Sequence, residues 1–139
     1  MRTLVVIVSI MAFTNVVRAD LPSAELMLAQ VHVESNDDDN AVGDTHLQHK
    51  AYGCLQIRKP CVDDYNRWHK TNYKAEDCLG NRELSVKIYR SYIDNYATEA
   101  RLGRKPTSED MARIWNGGPN GWKKDNTKPY WEKVKVQLK

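Results

Sequence analysis

The stretch VHVESNDDDNAVGD, residues 31–44, decides how the rest of the chain is read. An apolar, helix-compatible run ends on one carboxylate, Glu34. It then breaks into turn-formers and acids that close on Gly43-Asp44. Upstream, SAELMLAQVHVE (23–34) reads as a helix. Ser23 can cap it, and Leu26, Leu28 or Ala29, Val31 and Val33 supply apolar faces. A glutamate at such a helix end is either a surface residue or an acid held in apolar surroundings. Taken alone it reads as the former, so the sequence around it has to decide.

Working outward, residues 35–50 are polar and turn-rich, and AYGCLQIR (51–58) reads as a strand or a buried extended run. KPCVDDYNRW (59–68) suits a short helix with Pro60 in its first turn. Residues 81–100 give the strongest helical pattern: Asn81 caps, Leu84, Ile88, Tyr92 and Tyr96 recur at fours, and Gly103 ends it. Thr107-Ser108-Glu109-Asp110 reads as a capping box before MARIWN, which stops at Gly117-Gly118-Pro119. A last helix is expected over 128–138. The fold class is α+β, mainly α, with one small β element.

The 139 residues suffice for one domain and not for two comfortable cores. Residues 1–19 read as a secretory signal peptide: Met1-Arg2 is the basic start, Leu4 to Phe13 the apolar run, and Val17-Arg18-Ala19 the cleavage region. Residues 20–139 form the expected domain. The net charge of +3 falls to +1 once Arg2 and Arg18 leave with the signal and no acid does. That balance argues against nucleic-acid binding driven by bulk charge. After signal removal no segment is long and apolar enough for a membrane anchor, so a secreted, monomeric, extracellular protein is expected. Export permits disulfides, and three cysteines leave one over. Three pairings are open. Cys61–Cys78, which closes a medium loop, is favoured and would be worth roughly 3 kcal/mol. Cys54, inside AYGCLQI, is expected to pack as a small buried hydrophobe.

Metal chemistry finds no complete pattern. His32-Val33-Glu34 is an H-x-E triplet, but Pro60-Cys61 is not followed by a second cysteine at the spacing zinc deaminases need. Asp37-Asp38-Asp39 lacks the glycine and the closing glutamate of an EF-hand loop and reads as a solvent-facing turn. No metal and no cofactor are expected. A carboxylate pair fits better. Breaking a glycosidic bond requires a proton for a poor leaving group, and a carboxylic acid carries one near neutral pH only where burial keeps it protonated. A second carboxylate across a cleft then stabilises positive charge, attacks, or holds a water. Glu34 is the candidate acid and Asp44 the candidate partner.

Four segments occur in order: ESN at 34–36, AVGD at 41–44, AYGCLQI at 51–57 and ARIWNGGPNG at 112–121. This ordered set resembles the lysozyme superfamily, with goose-type lysozymes and the bacterial or phage lytic transglycosylase-like domains as the nearest pattern. The resemblance implies Glu34 as general acid, with Ser35 supporting its end of the helix and Asp44 as second acid in a β-hairpin. It implies a cleft lined by Tyr52, Gln56, Trp115 and Asn116, with Gly117 and Gly118 letting the backbone approach a sugar. Tyr130 and Trp131 would offer stacking faces to sugar rings, or side chains to the core. The implied activity is hydrolysis of the β-1,4 bond between N-acetylmuramic acid and N-acetylglucosamine in peptidoglycan. The alternatives are a lytic transglycosylase leaving anhydro-muropeptides and a non-catalytic glycan-binding domain. Ala51 stands where chicken-type lysozymes carry an aspartate, so Asp44 must serve if any second acid does. The loop THLQHKA (45–51) is longer than the goose-type pattern, and its His46 and His49 are expected to face solvent.

Overall fold

The computed structural model describes residues 22–138, so the expected signal peptide at 1–19 lies outside the described residues. Six α-helices, three single-turn helices and a two-stranded sheet make up the described residues. Helix α1 (Ala24–Ser35) is capped by Ser23, whose side chain accepts from the Leu26 N–H at 3.1 Å. It ends because Asn36 turns left-handed, at φ 53°, and returns its N–H to His32 O. Leu26, Gln30 and Glu34 are spaced by fours and therefore share one face of α1, which turns Glu34 toward the interior.

Strands β1 (Val42–Gly43) and β2 (Ala51–Tyr52) pair antiparallel, Val42 opposite Tyr52 and Gly43 opposite Ala51. The expected longer strand over 51–58 stops at Tyr52. Gly53, at φ +73°, bends the chain there, and a Cβ at this position would meet Cys78 O at 2.4 Å. Cys54–Gln56 therefore form a turn, and Ile57 closes back against Tyr52. Helix α2 (Lys59–His69) carries its proline in the first turn, as expected.

The helical run read over 81–100 divides into α3 (Arg82–Tyr96) and α4 (Glu99–Leu102). The break falls at Ala97 because Thr98 starts a new helix, its side chain accepting from the Arg101 N–H. Helix α5 (Ser108–Gly117) opens with the capping box at Thr107 and Asp110, and α6 (Lys128–Gln137) is the last helix. Between them, two single-turn helices, Gly121–Lys123 and Asp125–Thr127, fold the chain tightly against α5.

The core gathers Leu55, Ile57, Ile88, Tyr89, Ile93, Ile114 and Val134, all fully buried. Trp115 packs edge-on against both Tyr89 and Tyr92, at ring separations of 4.9 and 5.5 Å. Cys54 is buried there, as its surroundings required. The expected Cys61–Cys78 bridge is not formed, and all three cysteines are free thiols. Each is instead engaged locally. Cys78 and Cys54 lie beside Ser85, Cys54 also beside Asp39, and Cys61 beside Arg58. Burial pushes the thiols up, to about 11 for Cys54 and about 12 for Cys61 and Cys78, which keeps them protonated. Among the described residues no helix is long and apolar enough to cross a membrane.

The acidic turn is less open than expected. Asp37 pairs with His32, and Asp38 Oδ1 accepts from the Asn40 N–H. Asp39 is half-buried against Arg82 of α3 at 2.8 Å. The run thus ties the end of α1 to α3, in addition to meeting solvent. His46 and His49 are exposed.

Candidate active site

Glu34 lines a cavity of about 330 Å³ together with Asp44, Gln56, Arg58, Trp115 and Asn116. The cavity lies where the end of α1, the sheet loop, the start of α2 and the end of α5 meet. Two distant stretches of sequence, 34–58 and 115–118, form most of its wall. The predicted acid and its predicted partner therefore share one cavity.

Glu34 is pushed up from 4.5 to about 7. Burial is the dominant cause, since it penalises the carboxylate. Three groups work against it: the Tyr130 hydroxyl, the Arg58 guanidinium and the Trp115 indole, while Asp44 adds to the rise. Burial wins, so the acid holds its proton up to neutral pH. A group protonated near pH 7 is matched to proton delivery at that pH.

Asp44 follows Gly43 and takes a left-handed conformation at φ 53°, which its short polar side chain tolerates. Its carboxylate forms an ion pair with Arg58, and its side chain remains 23% exposed. Gly43 has a steric role. A Cβ there would lie 2.0 Å from Gln56 Oε1, so only glycine lets Gln56 fold over the strand. The Gln56 amide then donates to Gly53 O at 3.0 Å and Ala41 O at 3.4 Å. Gln56 thus clips the turn and also faces the cavity.

Other predicted residues fall differently. Ser35 does not line the cavity: its hydroxyl lies 3.1 Å from Val31 O and 2.9 Å from Cys54 O, joining α1 to the turn after β2. Tyr52 lines a different cavity, of about 400 Å³, where its hydroxyl donates to Glu76 at 3.4 Å. It departs from the expected position because alternation along β2 sends it to the face opposite Ala51. Gly117 does not line the Glu34 cavity; a Cβ there would strike Thr127 Cγ2 at 2.4 Å, so its role is packing. Gly118 does line it, at φ +85° with open space around its Cα. Tyr130, for which the sequence leaves either sugar stacking or a place in the core open, packs against the core and donates its hydroxyl proton to Glu34 Oε1 at 2.8 Å. Trp131 is half-buried against the core.

Sequence alone does not single out Arg58, Tyr92, Gln30 or Tyr89 as site residues. Gln30 carries a readable signal, an amide on the apolar face of α1 four residues before Glu34. Arg58 sits just beyond the AYGCLQI segment, with nothing in its neighbours to mark it.

No family model matches the chain. Lysozyme 1 of Crassostrea virginica is 36% identical over 62 residues, which span 45% of this chain and 33% of that relative. The Ostrea edulis lysozyme is 28% identical over 135 residues, covering 83% of this chain and 95% of its own length. An invertebrate-type lysozyme of Ruditapes philippinarum is 35% identical over 80 residues, 58% of this chain and 55% of that one. In structure, the Tapes japonica lysozyme matches with a TM-score of 0.66 at 28% identity, over 81% of this chain and 87% of that chain. The fold is that of the lysozyme superfamily, with a buried acid at its cleft. The matched relatives are bivalve lysozymes, and they do not support the closeness to goose-type enzymes or lytic transglycosylases suggested by the motif order.

Proposed function

We propose that this chain is an invertebrate-type lysozyme, hydrolysing the β-1,4 bond between N-acetylmuramic acid and N-acetylglucosamine in bacterial peptidoglycan. The observation that carries the reading is Glu34, an acid pushed up to about 7 in a cavity it shares with Asp44. Glu34 protonates the glycosidic oxygen as the bond to the leaving sugar breaks. Positive charge then develops at the sugar's anomeric carbon. Asp44, in the same cavity, stabilises that charge or orients the water that completes hydrolysis. Arg58 holds the Asp44 carboxylate in place. Trp115, Asn116, Gln56 and Gly118 line the sugar's path, and Gly118 presents bare backbone to it. The chain acts as a monomer outside the cell, after export by the leader at 1–19.

The test is mass spectrometry of the products from purified peptidoglycan, with Glu34→Gln run beside the unmodified protein. Muropeptides with reducing ends, absent from the variant's digest, are expected. Anhydro-muropeptides would make the reaction a transglycosylation. Equal products from both proteins would remove Glu34 from the mechanism.

A further inference from the structure

Behind Glu34 a line of polar side chains runs into the core. The Tyr89 hydroxyl of α3 donates to Gln30 Oε1 at 2.5 Å. The Gln30 amide then donates through Nε2 to the Tyr130 hydroxyl oxygen at 3.2 Å. Tyr130 donates to Glu34 Oε1 at 2.8 Å. Gln30 and Tyr89 are both fully buried, at 0% exposure, on an otherwise apolar interface. Buried polar groups of this kind persist where every member is satisfied, and here every one is.

The direction of the line follows from its far end. Tyr89 has one hydroxyl proton, and Gln30 Oε1 receives it. That fixes the amide's orientation, so Gln30 presents only N–H to Tyr130. Tyr130 therefore meets a donor on one side, and its own proton has one acceptor left, Glu34. A protonated Glu34 cannot hand its hydrogen to Tyr130 without leaving the Tyr130 proton unpaired in a buried place. The carboxyl oxygen that receives the Tyr130 hydrogen bond acts as the carbonyl oxygen, and the acid's hydrogen goes to the other one.

We propose that Tyr89 and Gln30 are positioning residues that aim the Tyr130 hydroxyl at Glu34 and so confine the acid's proton to Oε2, the oxygen Tyr130 does not hold. The inference rests on the reading of Glu34 as the proton donor. It adds that the donor's active form is set from α3, by a residue that lines no part of the cavity. The ionisable groups facing Glu34 are Tyr130 from α6, Tyr89 from α3, Arg58 from the start of α2 and Asp44 from the loop after β1. Burial keeps both tyrosines protonated well above their usual range, so neither hydroxyl is lost as a donor across the working pH.

Removing the Tyr89 hydroxyl frees the Gln30 amide to turn over. Its carbonyl then offers Tyr130 an alternative acceptor, available chiefly when Glu34 is protonated. Tyr89→Phe should therefore raise the midpoint at which Glu34 ionises. Tyr130→Phe removes the donor outright and should raise the midpoint by about one pH unit. In Tyr89→Phe/Tyr130→Phe the second change has nothing left to act through, so the double variant should match Tyr130→Phe alone.

The experiment is a carboxyl-carbon NMR titration of Glu34 in the four proteins, with the pH profile of peptidoglycan cleavage recorded in parallel. The proposal holds if both single variants move the midpoint up and the double variant adds nothing. It is overturned if Tyr89→Phe leaves the midpoint in place, or if the two shifts add. Should Tyr89→Phe fail to fold, the unmodified protein decides. Cross-peaks from the Gln30 side-chain NH2 to the Tyr130 ring support the orientation, and cross-peaks to the Tyr89 ring in their place overturn it. The titration does not depend on turnover, so absence of cleavage would count against the functional reading and leave the relay to be judged by its own midpoints.

Discussion

Arg58 forms an ion pair with Asp44 and also acts through space on Glu34, so one arginine is coupled to both carboxyl groups of the cavity. It stands at the N-cap of α2, in extended conformation, with its side chain half-exposed. Its charge favours the ionised form of Glu34, against burial. Asp44 has the opposite effect on the same acid. The cavity thus contains a pair of fixed charges whose balance helps set how acidic Glu34 is.

Arg58→Gln removes the lowering influence and leaves Asp44 without its partner. Both effects favour protonated Glu34. The basic limb of the kcat/KM profile should move to higher pH by about half a unit to one unit. The rate at low pH should fall as well, because Asp44 is no longer held. Asp44→Asn should move the limb the other way. A pH–rate series on the two variants checks both directions, and shifts of the same sign in both would be inconsistent with this charge balance.

Glu34→Gln separates catalysis from stability. Losing a general acid should lower kcat by about 10²–10⁴-fold. Stability should change with the opposite sign. The folded-state value, about 7, lies above the ordinary 4.5, so the folded protein binds the proton more tightly than the unfolded chain. Stability of the unmodified protein therefore declines as pH rises from 4.5 to about 7. Above that range the variant should be more stable by about 3 kcal/mol, and below the ordinary value the two should coincide. Urea unfolding at an acidic and a mildly basic pH measures the difference.

How much of this is legible in the sequence differs between elements. Helix α1, its Ser23 cap and the capping box of α5 are readable because local spacing and cap chemistry determine them. Glu34 is readable only together with the ordered segments around it, since its place at the end of an apolar run would by itself suit a surface glutamate. The division of α3 from α4 at Ala97 is not, since Thr98 is a weak local signal inside a strong periodic one. Tyr130 is visible as an aromatic, but its use as a hydrogen-bond donor depends on α6 packing across α1, 96 positions away in sequence. Tyr52 is misplaced for a related reason. Alternation fixes which residues share a face, and only the sheet's surroundings fix which face meets the cleft.

Asp110 is the anchor of α5, the helix that carries Trp115 and Asn116 to the cavity. It is 3% exposed, and burial alone would push its carboxyl up. Arg104 at 2.6 and 2.9 Å, with the Thr107 N–H and hydroxyl at 2.8 Å, outweighs burial and holds it below its ordinary value. Its contribution is therefore present above the ordinary aspartate range and is lost as pH falls through the lower folded-state value. Asp110→Ala should cost about 2–3 kcal/mol at neutral pH, combining a lost cap with unpaired donors. Denaturant midpoints measured from neutral to strongly acidic pH should show the gap between the two proteins narrowing only at the acidic end.

Gly121 couples the fold to the site most tightly, and a pair of glycine substitutions tests that. A Cβ on Gly121 would lie 1.9 Å from Arg113 O and 2.7 Å from Arg113 C, which is backbone of α5 and cannot give way. The buried Arg113 side chain braces the same corner: Nε donates to Thr127 Oγ1 at 2.9 Å and Nη2 to Lys124 O at 3.0 Å. Thr127 leads directly into α6, and Tyr130 is three residues further on. Gly121→Ala should therefore push α6 away from α5, cost about 3 kcal/mol, and lengthen the Tyr130–Glu34 hydrogen bond. Gly103 ends α4 at φ +73°, and a Cβ added there would meet nothing within 4 Å. Gly103→Ala therefore costs only the left-handed conformation, about 1 kcal/mol. At a temperature where both variants remain folded, Gly121→Ala should lose cleavage activity and raise the ionisation midpoint of Glu34. Gly103→Ala should keep both. Equal activity loss in the two would mean that stability alone, rather than the placement of Tyr130, governs the reaction.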